Sequence, residues 1–151
     1  MKLRYFIMIY AAMLPLLPIS DTLAAGPGRE EWHNWVYMFG HAGLLHYMLN
    51  GLGWLMMWKI ATPVRTIAAW IMSALAMYVI PTEQPVLGWS AVIYWYLGMC
   101  MVHKDKTRRI KLILFTLTGF LLPNIAAWLH LTMLAAGWLS RKTELAWKRT
   151  I

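Results

Sequence analysis

Cysteine and charged side chains are both scarce in this chain of 151 residues, and each shortage excludes a class of protein. Cys100 is the only cysteine, so the chain can form neither an internal disulfide nor a thiolate metal site. Only 13% of the residues are charged, about half the share typical of a soluble domain, which leaves too little polar surface to coat a globule. The hydrophobic share of 60% also excludes a disordered chain.

The charge that is present is mostly positive, with 14 Lys and Arg against 6 Asp and Glu and a net charge of +8. The basic residues stand in short clusters between long apolar runs and not along one continuous stripe. This pattern is typical of anchoring to an anionic membrane surface and argues against nucleic acid as a partner. Composition therefore predicts a small polytopic protein in the lipid bilayer.

Long apolar runs are what the sequence has in abundance. A helix needs roughly 20 apolar residues to cross a membrane, and these runs do not alternate as the strands of a barrel must. Proline, glycine and charged residues separate six runs. The sequence thus predicts an all-α membrane protein, a single domain over 1–151 with six transmembrane helices. The predicted spans are 3–19, 35–58, 64–80, 86–102, 110–122 and 125–139.

The distribution of Lys and Arg predicts how these spans are oriented. With the N-terminus inside, thirteen of the fourteen basic residues fall in inner stretches, and Arg29 alone falls outside. This is a positive-inside signal. We expect a multi-pass protein of the bacterial inner membrane with both termini cytoplasmic. The first run also fits a signal peptide, with Thr22 and Ala24 before the cleavage site, and this alternative stays open.

Polar side chains inside apolar runs are costly and therefore mark candidate functional residues. His46 and Asn50 are four residues apart and share one helical face, whereas His41 lies about 140° around the helix from His46. Ser90 lies about 6 Å, and His130 about 8 Å, from the same face of the predicted membrane. We expect this serine and this histidine at similar depth on the external side.

These residue types permit nucleophilic catalysis. A serine hydroxyl becomes a nucleophile when a neutral histidine takes its proton, and burial keeps a histidine neutral by lowering its pKa. The side chains of His46 and Asn50, with the Ser90 backbone N–H, are candidate donors to the oxyanion of acyl transfer. Gly88 allows the backbone to bend sharply before the fourth span. Packing explains each residue alone, so their combination carries the prediction.

The motifs resemble those of the rhomboid family of intramembrane serine proteases. His41, His46 and Asn50 resemble the family's HxxxxHxxxN signature, and Gly88 with Ser90 resembles its GxS nucleophile motif. With His130, the matches fall in the second, fourth and sixth spans in the family's order. The resemblance therefore covers essentially the whole chain.

Further residues that match the family pattern follow Ser90 and His130 along the chain. Tyr94 and Gly98 lie four and eight residues after Ser90, and Gly137 lies seven residues after His130. The resemblance implies that Ser90 is the nucleophile and His130 the general base of a dyad without a carboxylate. It also implies that Tyr94 stacks against the His130 ring.

The resemblance assigns the remaining candidates to the oxyanion hole and its support. His46 and Asn50 would line the oxyanion hole, with Gly88 and His41 as supporting residues nearby. Substrates would be single-span membrane proteins cut near the external membrane face. The reaction would need neither a cofactor nor a metal.

The chain departs from the family pattern at several positions, among them Trp32 and His33, where a tryptophan-arginine pair is common. Ala91 follows the serine where glycine is usual, Leu129 precedes the histidine where a small residue is usual, and Met133 replaces a glycine at the contact between the fourth and sixth helices. One alternative is therefore an inactive rhomboid-like binder of transmembrane segments. Another is a haem membrane protein with His46 and His130 as axial ligands.

Overall fold

Helices make up most of this computed structural model, which describes residues 3–80, 82–102, 106–120 and 126–150. Most residues of these ranges are helical, as the sequence predicts. Two 3₁₀ helices cover Leu14–Leu23 and Tyr37–Phe39, and Ala25 forms an isolated antiparallel bridge with Val86. The α-helices are α1 Leu3–Ala11, α2 His33–Val36, α3 Leu44–Met57, α4 Pro63–Ala76, α5 Ser90–Met101, α6 Lys106–Phe120 and α7 Ala127–Thr150.

The prediction of six transmembrane helices is wrong, and with it the predicted location as a multi-pass inner-membrane protein with cytoplasmic termini. Within the described ranges, no helix combines the length and the apolar character that crossing a membrane requires. Helices α3 and α4 have 14 residues each, about 21 Å against a hydrocarbon core of about 30 Å. Helix α7 has 24 residues, but its second half carries Arg141, Lys142, Glu144, Lys148 and Arg149.

The predicted spans break where the backbone leaves the α-helical conformation. The run 3–19 divides into α1 and a 3₁₀ helix that contains Pro18, which lacks the N–H that an α-helix needs. The run 35–58 divides before α3, where Gly43 has a φ of +103°. The predicted boundary between the fifth and sixth spans, at 122–125, lies outside the described residues.

Helix α5 forms the centre of the molecule, and residues 91–99 are all buried. Its most extensive contact is with α7. A Cβ at Gly98 would overlap the backbone carbonyl of Leu134, and a Cβ at Gly137 would overlap that of Trp95. The backbones of the two helices are therefore in contact. They run in the same direction, because Ser90 meets His130 near the start of both helices and Gly98 meets Leu134 and Trp138 further along.

Helix α3 packs beside α5 in the same direction. A Cβ at Gly53 would lie 3.2 Å from the side chain of Ile93, and one at Gly88, just before α5, would lie 2.7 Å from the ring of His46. The first turns of α3, α5 and α7 consequently meet at one end of the molecule, which we call the upper end.

The opposite, lower end is joined by an ion network of Arg65, Arg141 and Glu144. Arg65 donates to both Glu144 carboxylate oxygens, at 3.1 and 2.8 Å, and to the carbonyl of Ile60 at 2.9 Å. Arg141 donates to the same carboxylate at 2.8 Å. Burial alone would raise the pKa of Glu144, but the hydrogen bonds and charges of the two arginines lower it. The network ties the end of α3 and the start of α4 to α7.

Candidate active site

Ser90 is the first residue of α5, and the backbone before it is held in place from the N-terminal part of the chain. Val86 exchanges two backbone hydrogen bonds with Ala25, at 2.7 and 3.1 Å. The N–H of Gly88 donates to the carbonyl of Tyr37 at 3.1 Å, and its φ of +104° is a conformation that favours glycine. Ser90 itself is only half-buried.

The structure brings Ser90 and His130 together. The Ser90 Oγ lies 2.8 Å from Nε2 of His130, within hydrogen-bond distance, although the residues are 40 positions apart. The contact follows from the packing of α5 on α7, because the glycines at 98 and 137 let the two helices approach along their length. A serine hydroxyl that donates to a histidine nitrogen is the arrangement of an activated nucleophile.

Two buried side chains on α7 stand where the family pattern has smaller residues. Leu129 is 1% exposed and Met133 is fully buried. Both side chains are accommodated in the core while α5 and α7 stay in backbone contact one turn further along. Met133 therefore does not separate the two helices that carry Ser90 and His130.

Tyr94 holds the plane of the His130 ring. The two rings stack with centroids 4.2 Å apart and planes inclined by 3°. The hydroxyl of Tyr94 donates to the backbone carbonyl of Thr116 at 3.2 Å, which ties the tyrosine to α6. The imidazole is thus supported on one face while its Nε2 points at Ser90.

Burial determines the protonation state of His130. Burial and, to a smaller extent, the nearby imidazole of His46 together lower the pKa of His130 to about 4, the latter because two positive charges would repel each other. His130 is therefore neutral near pH 7 and carries one ring proton. In the tautomer with that proton on Nδ1, Nε2 can accept the proton of Ser90.

His46 can donate a hydrogen bond beside Gly88, close to Ser90. Its Nδ1 accepts a hydrogen bond from the backbone N–H of Ala42 at 3.2 Å. Burial lowers the pKa of His46, so the ring is neutral and carries its single proton on Nε2. That nitrogen lies 2.8 Å from the place where a Cβ of Gly88 would be. His46 is thus a hydrogen-bond donor beside the backbone that leads into Ser90.

Asn50 is a second hydrogen-bond donor beside Gly88. It lies one turn after His46 on α3 and is 5% exposed. Its Nδ2 lies 3.1 Å from the same Cβ position of Gly88 and has no hydrogen-bond partner within the residues that the structure describes. A buried amide donor without a partner is unusual and points to a ligand.

The start of α5 adds backbone donors to these side chains. The first N–H groups of a helix have no carbonyl partner inside the helix, and they carry its partial positive charge. In α5 this first turn begins at Ser90 itself. Negative charge that develops beside Ser90 would therefore meet donors from both α3 and α5.

His41 lies behind His46 and is 1% exposed. The two rings meet edge to face with centroids 5.4 Å apart. Burial lowers the pKa of His41 to about 4, the proximity of His46 lowers it too, and the carbonyl of Phe39 raises it. His41 thus supports the site and does not form its reactive surface.

Two residues that contact His41 were not predicted from the sequence. The hydroxyl of Tyr10 lies 3.4 Å from Nε2 of His41, and the Oγ of Ser20 accepts the His41 backbone N–H at 2.9 Å. Tyr10 lies in the run 3–19, which the sequence predicts as a membrane span or a signal peptide, and Ser20 directly follows that run. The signal was a tyrosine hydroxyl in an apolar stretch, since such a group usually finds a partner when it is buried.

A metal or haem centre finds little support in this arrangement. The part of the chain that the structure describes holds no group of three His, Cys, Asp or Glu placed to bind a metal ion. A haem iron on His130 would have to displace the Ser90 hydroxyl from Nε2. One nitrogen of His46 already accepts from Ala42.

Comparison with known proteins finds no match for this chain. Family models, curated proteins and solved structures were each compared, and none matches. The resemblance to the rhomboid family therefore depends on the motif residues alone and stays a hypothesis.

Proposed function

We propose that this chain is a serine endopeptidase of the rhomboid type, with Ser90 as nucleophile and His130 as general base. The observation that carries the proposal is the 2.8 Å contact between Ser90 Oγ and His130 Nε2. The two donors of His46 and Asn50, which converge on Gly88, support it. Acyl transfer requires a serine, a neutral histidine and available hydrogen-bond donors close together.

The reaction follows from the positions of these groups. Ser90 Oγ attacks the carbonyl carbon of the scissile peptide bond while Nε2 of His130 takes the hydroxyl proton. The carbonyl oxygen becomes an oxyanion, which the N–H groups of His46, Asn50 and Ser90 stabilise. His130 then gives the proton to the leaving amine, and an acyl-enzyme on Ser90 remains. A water molecule, deprotonated by His130, hydrolyses that ester and regenerates the serine.

Apolar polypeptide segments, of the kind that single-span membrane proteins carry, are the substrate class we propose. Large apolar side chains are exposed on the two helices that flank the site. Leu45 and Leu49 on α3 are 72% and 46% exposed, and Trp128 and Leu131 on α7 are 68% and 42% exposed. Exposed apolar surface of this kind usually contacts another molecule. It would hold an apolar segment beside Ser90.

A serine-directed probe tests the proposal without knowledge of the natural substrate. The purified chain is treated with a fluorophosphonate or an isocoumarin, and the labelled residue is located by mass spectrometry. We expect a label on Ser90 that is lost in Ser90→Ala and His130→Ala. The matched control is Ser140→Ala, which removes a half-buried serine of α7 and should label like the wild type. Equal labelling of Ser90→Ala, or no label on the folded wild type, would contradict the proposal.

A further inference from the structure

Tyr10 joins α1 firmly to α3. Its ring lies against Gly51, where a Cβ would approach it to 2.8 Å, and stacks on Tyr47 with centroids 4.7 Å apart. The Tyr47 hydroxyl donates to the Tyr10 carbonyl at 3.0 Å, and the Tyr10 hydroxyl donates to the Tyr47 carbonyl. Tyr10 is therefore held by its ring, its backbone and its hydroxyl.

The Tyr10 hydroxyl also contacts the ring of His41. It has one proton, which goes to the Tyr47 carbonyl, so toward Nε2 of His41 at 3.4 Å its oxygen is placed to accept. Tyr10 thus anchors the His41 ring in one orientation.

Ser20 anchors the backbone of the same histidine. Its Oγ accepts the His41 N–H at 2.9 Å and donates to the carbonyl of Leu16 at 3.1 Å. His41 lies in a non-helical stretch that ends at Gly43, just before α3 begins. The place of this stretch consequently depends on contacts with the N-terminal part of the chain.

The next residue, Ala42, contacts the oxyanion donor. Its N–H donates to Nδ1 of His46, and this bond leaves the His46 proton on Nε2, toward Gly88. If the stretch moved, Nδ1 would lose its donor. The ring could then carry the proton on either nitrogen.

We infer that Tyr10 and Ser20 are positioning residues that act through His41 and Ala42 to keep the His46 proton on Nε2, an inference that rests on the proposed function. The N-terminal segment then belongs to the machinery of the site. Neither residue contacts the substrate, so the effect should appear in turnover and not in binding.

The tautomer of His46 tests the inference without any activity measurement. Nitrogen NMR of a chain with labelled histidines distinguishes a protonated from an unprotonated ring nitrogen. We expect one tautomer in the wild type and a mixture in Tyr10→Phe. The control is Tyr96→Phe, which removes another buried hydroxyl, bonded to Thr66 at 2.8 Å, and should keep the wild-type signals. Unchanged His46 signals in Tyr10→Phe would overturn the inference.

A double-mutant cycle adds the kinetic test. Tyr10→Phe should lower kcat about tenfold with KM unchanged, but less than about twofold in a His46→Ala background, since the positioned donor is then absent. Equal losses in both backgrounds would overturn the inference. An inactive wild type with the expected tautomer shift would contradict the proposed function alone. If Tyr10→Phe fails to fold, Ser20→Ala, which removes the acceptor of the His41 amide, gives the same readouts.

Discussion

The two ends of the molecule use polar side chains in opposite ways. At the lower end, Glu144 accepts from Arg65 and Arg141, and Arg65 also donates to a backbone carbonyl. At the upper end, His130 and Asn50 are each 5% exposed. The Asn50 amide nitrogen nevertheless has no hydrogen-bond partner in the described residues.

This difference separates groups that hold the fold from groups that are kept for a ligand. Buried polar atoms are normally paired, because an unpaired one costs stability. At the lower end, partly exposed charges pair with one another. The upper end departs from this rule at Asn50, next to the serine and histidine that approach to 2.8 Å. Five experiments test this contrast.

Removal of the base should have the largest effect. We expect His130→Ala to lower kcat/KM on a reporter polypeptide with an apolar segment by at least about 10⁴-fold, because the proposed general base for Ser90 is then removed. The variant should still bind the reporter polypeptide, since α7 keeps its contact with α5. Activity within tenfold of the wild type would remove His130 from the mechanism.

Asn50→Ala should lower kcat by about 10²–10³-fold, the usual effect of one oxyanion donor. The free energy of unfolding should change by less than about 1 kcal/mol, because the amide nitrogen has no hydrogen bond to lose. Denaturant unfolding and steady-state kinetics on the same preparation measure both. A large loss of stability without a loss of kcat would show that Asn50 is structural.

Acid should weaken the upper end first. The pKa of His41 and of His130 is about 4 in the folded chain against about 6.5 when unfolded, so the unfolded chain binds more protons between these values. Stability should therefore fall as the pH drops from 6.5 to 4, by roughly 3 kcal/mol for each imidazole. At the lower end, Arg65 and Arg141 lower the pKa of Glu144, which favours its charged form. His130→Gln should flatten the pH dependence of the unfolding free energy, and an unchanged slope would contradict the assignment.

Gly98→Ala should destabilise the contact that brings α5 and α7 together. The new methyl group would overlap the backbone of Leu134, and overpacking of this kind costs about 1–3 kcal/mol. Gly53→Ala is the matched control, since its methyl group would meet only the movable side chain of Ile93 at 3.2 Å. Equal thermal unfolding of the two variants would mean that the close approach of α5 and α7 is not essential.

Glu144→Gln should have the smallest effect. Its carboxylate and both arginines are partly exposed, so the loss should be about 1 kcal/mol, or roughly 2–4 °C in Tm, and should shrink in high salt. The variant should keep kcat within about twofold, because the network lies at the end away from Ser90. A strong loss of kcat would couple the two ends.

The helices were predictable from the sequence, but their lengths were not. Apolar runs predicted helical segments, yet run length does not show where an α-helix stops, as Pro18 and Gly43 illustrate. Helix α7 continues past 139 to Thr150 because Lys, Glu and Ala favour helix, and Arg141 pairs with Glu144 one turn on. The membrane prediction is wrong because an apolar run need not form one continuous helix.

For the candidate site, local spacing predicted that His46 and Asn50 share a face of one helix. Spacing alone does not place Ser90 against His130, since the contact depends on two helices that meet at Gly98 and Gly137. The parts that no pattern indicated are long-range contacts, such as the one between Tyr10 and His41. Such contacts depend on tertiary packing and not on periodicity.

The backbone contact between α5 and α7 has a mechanical consequence. Where Gly98 and Gly137 face the neighbouring backbone, no side chain separates α5 from α7, so their spacing there cannot be adjusted by repacking, as it is in an interface cushioned by leucines. That spacing changes only if one helix slides or rolls against the other. Substitutions meant to alter the distance between Ser90 and His130 through the backbone would have to act on this rolling motion.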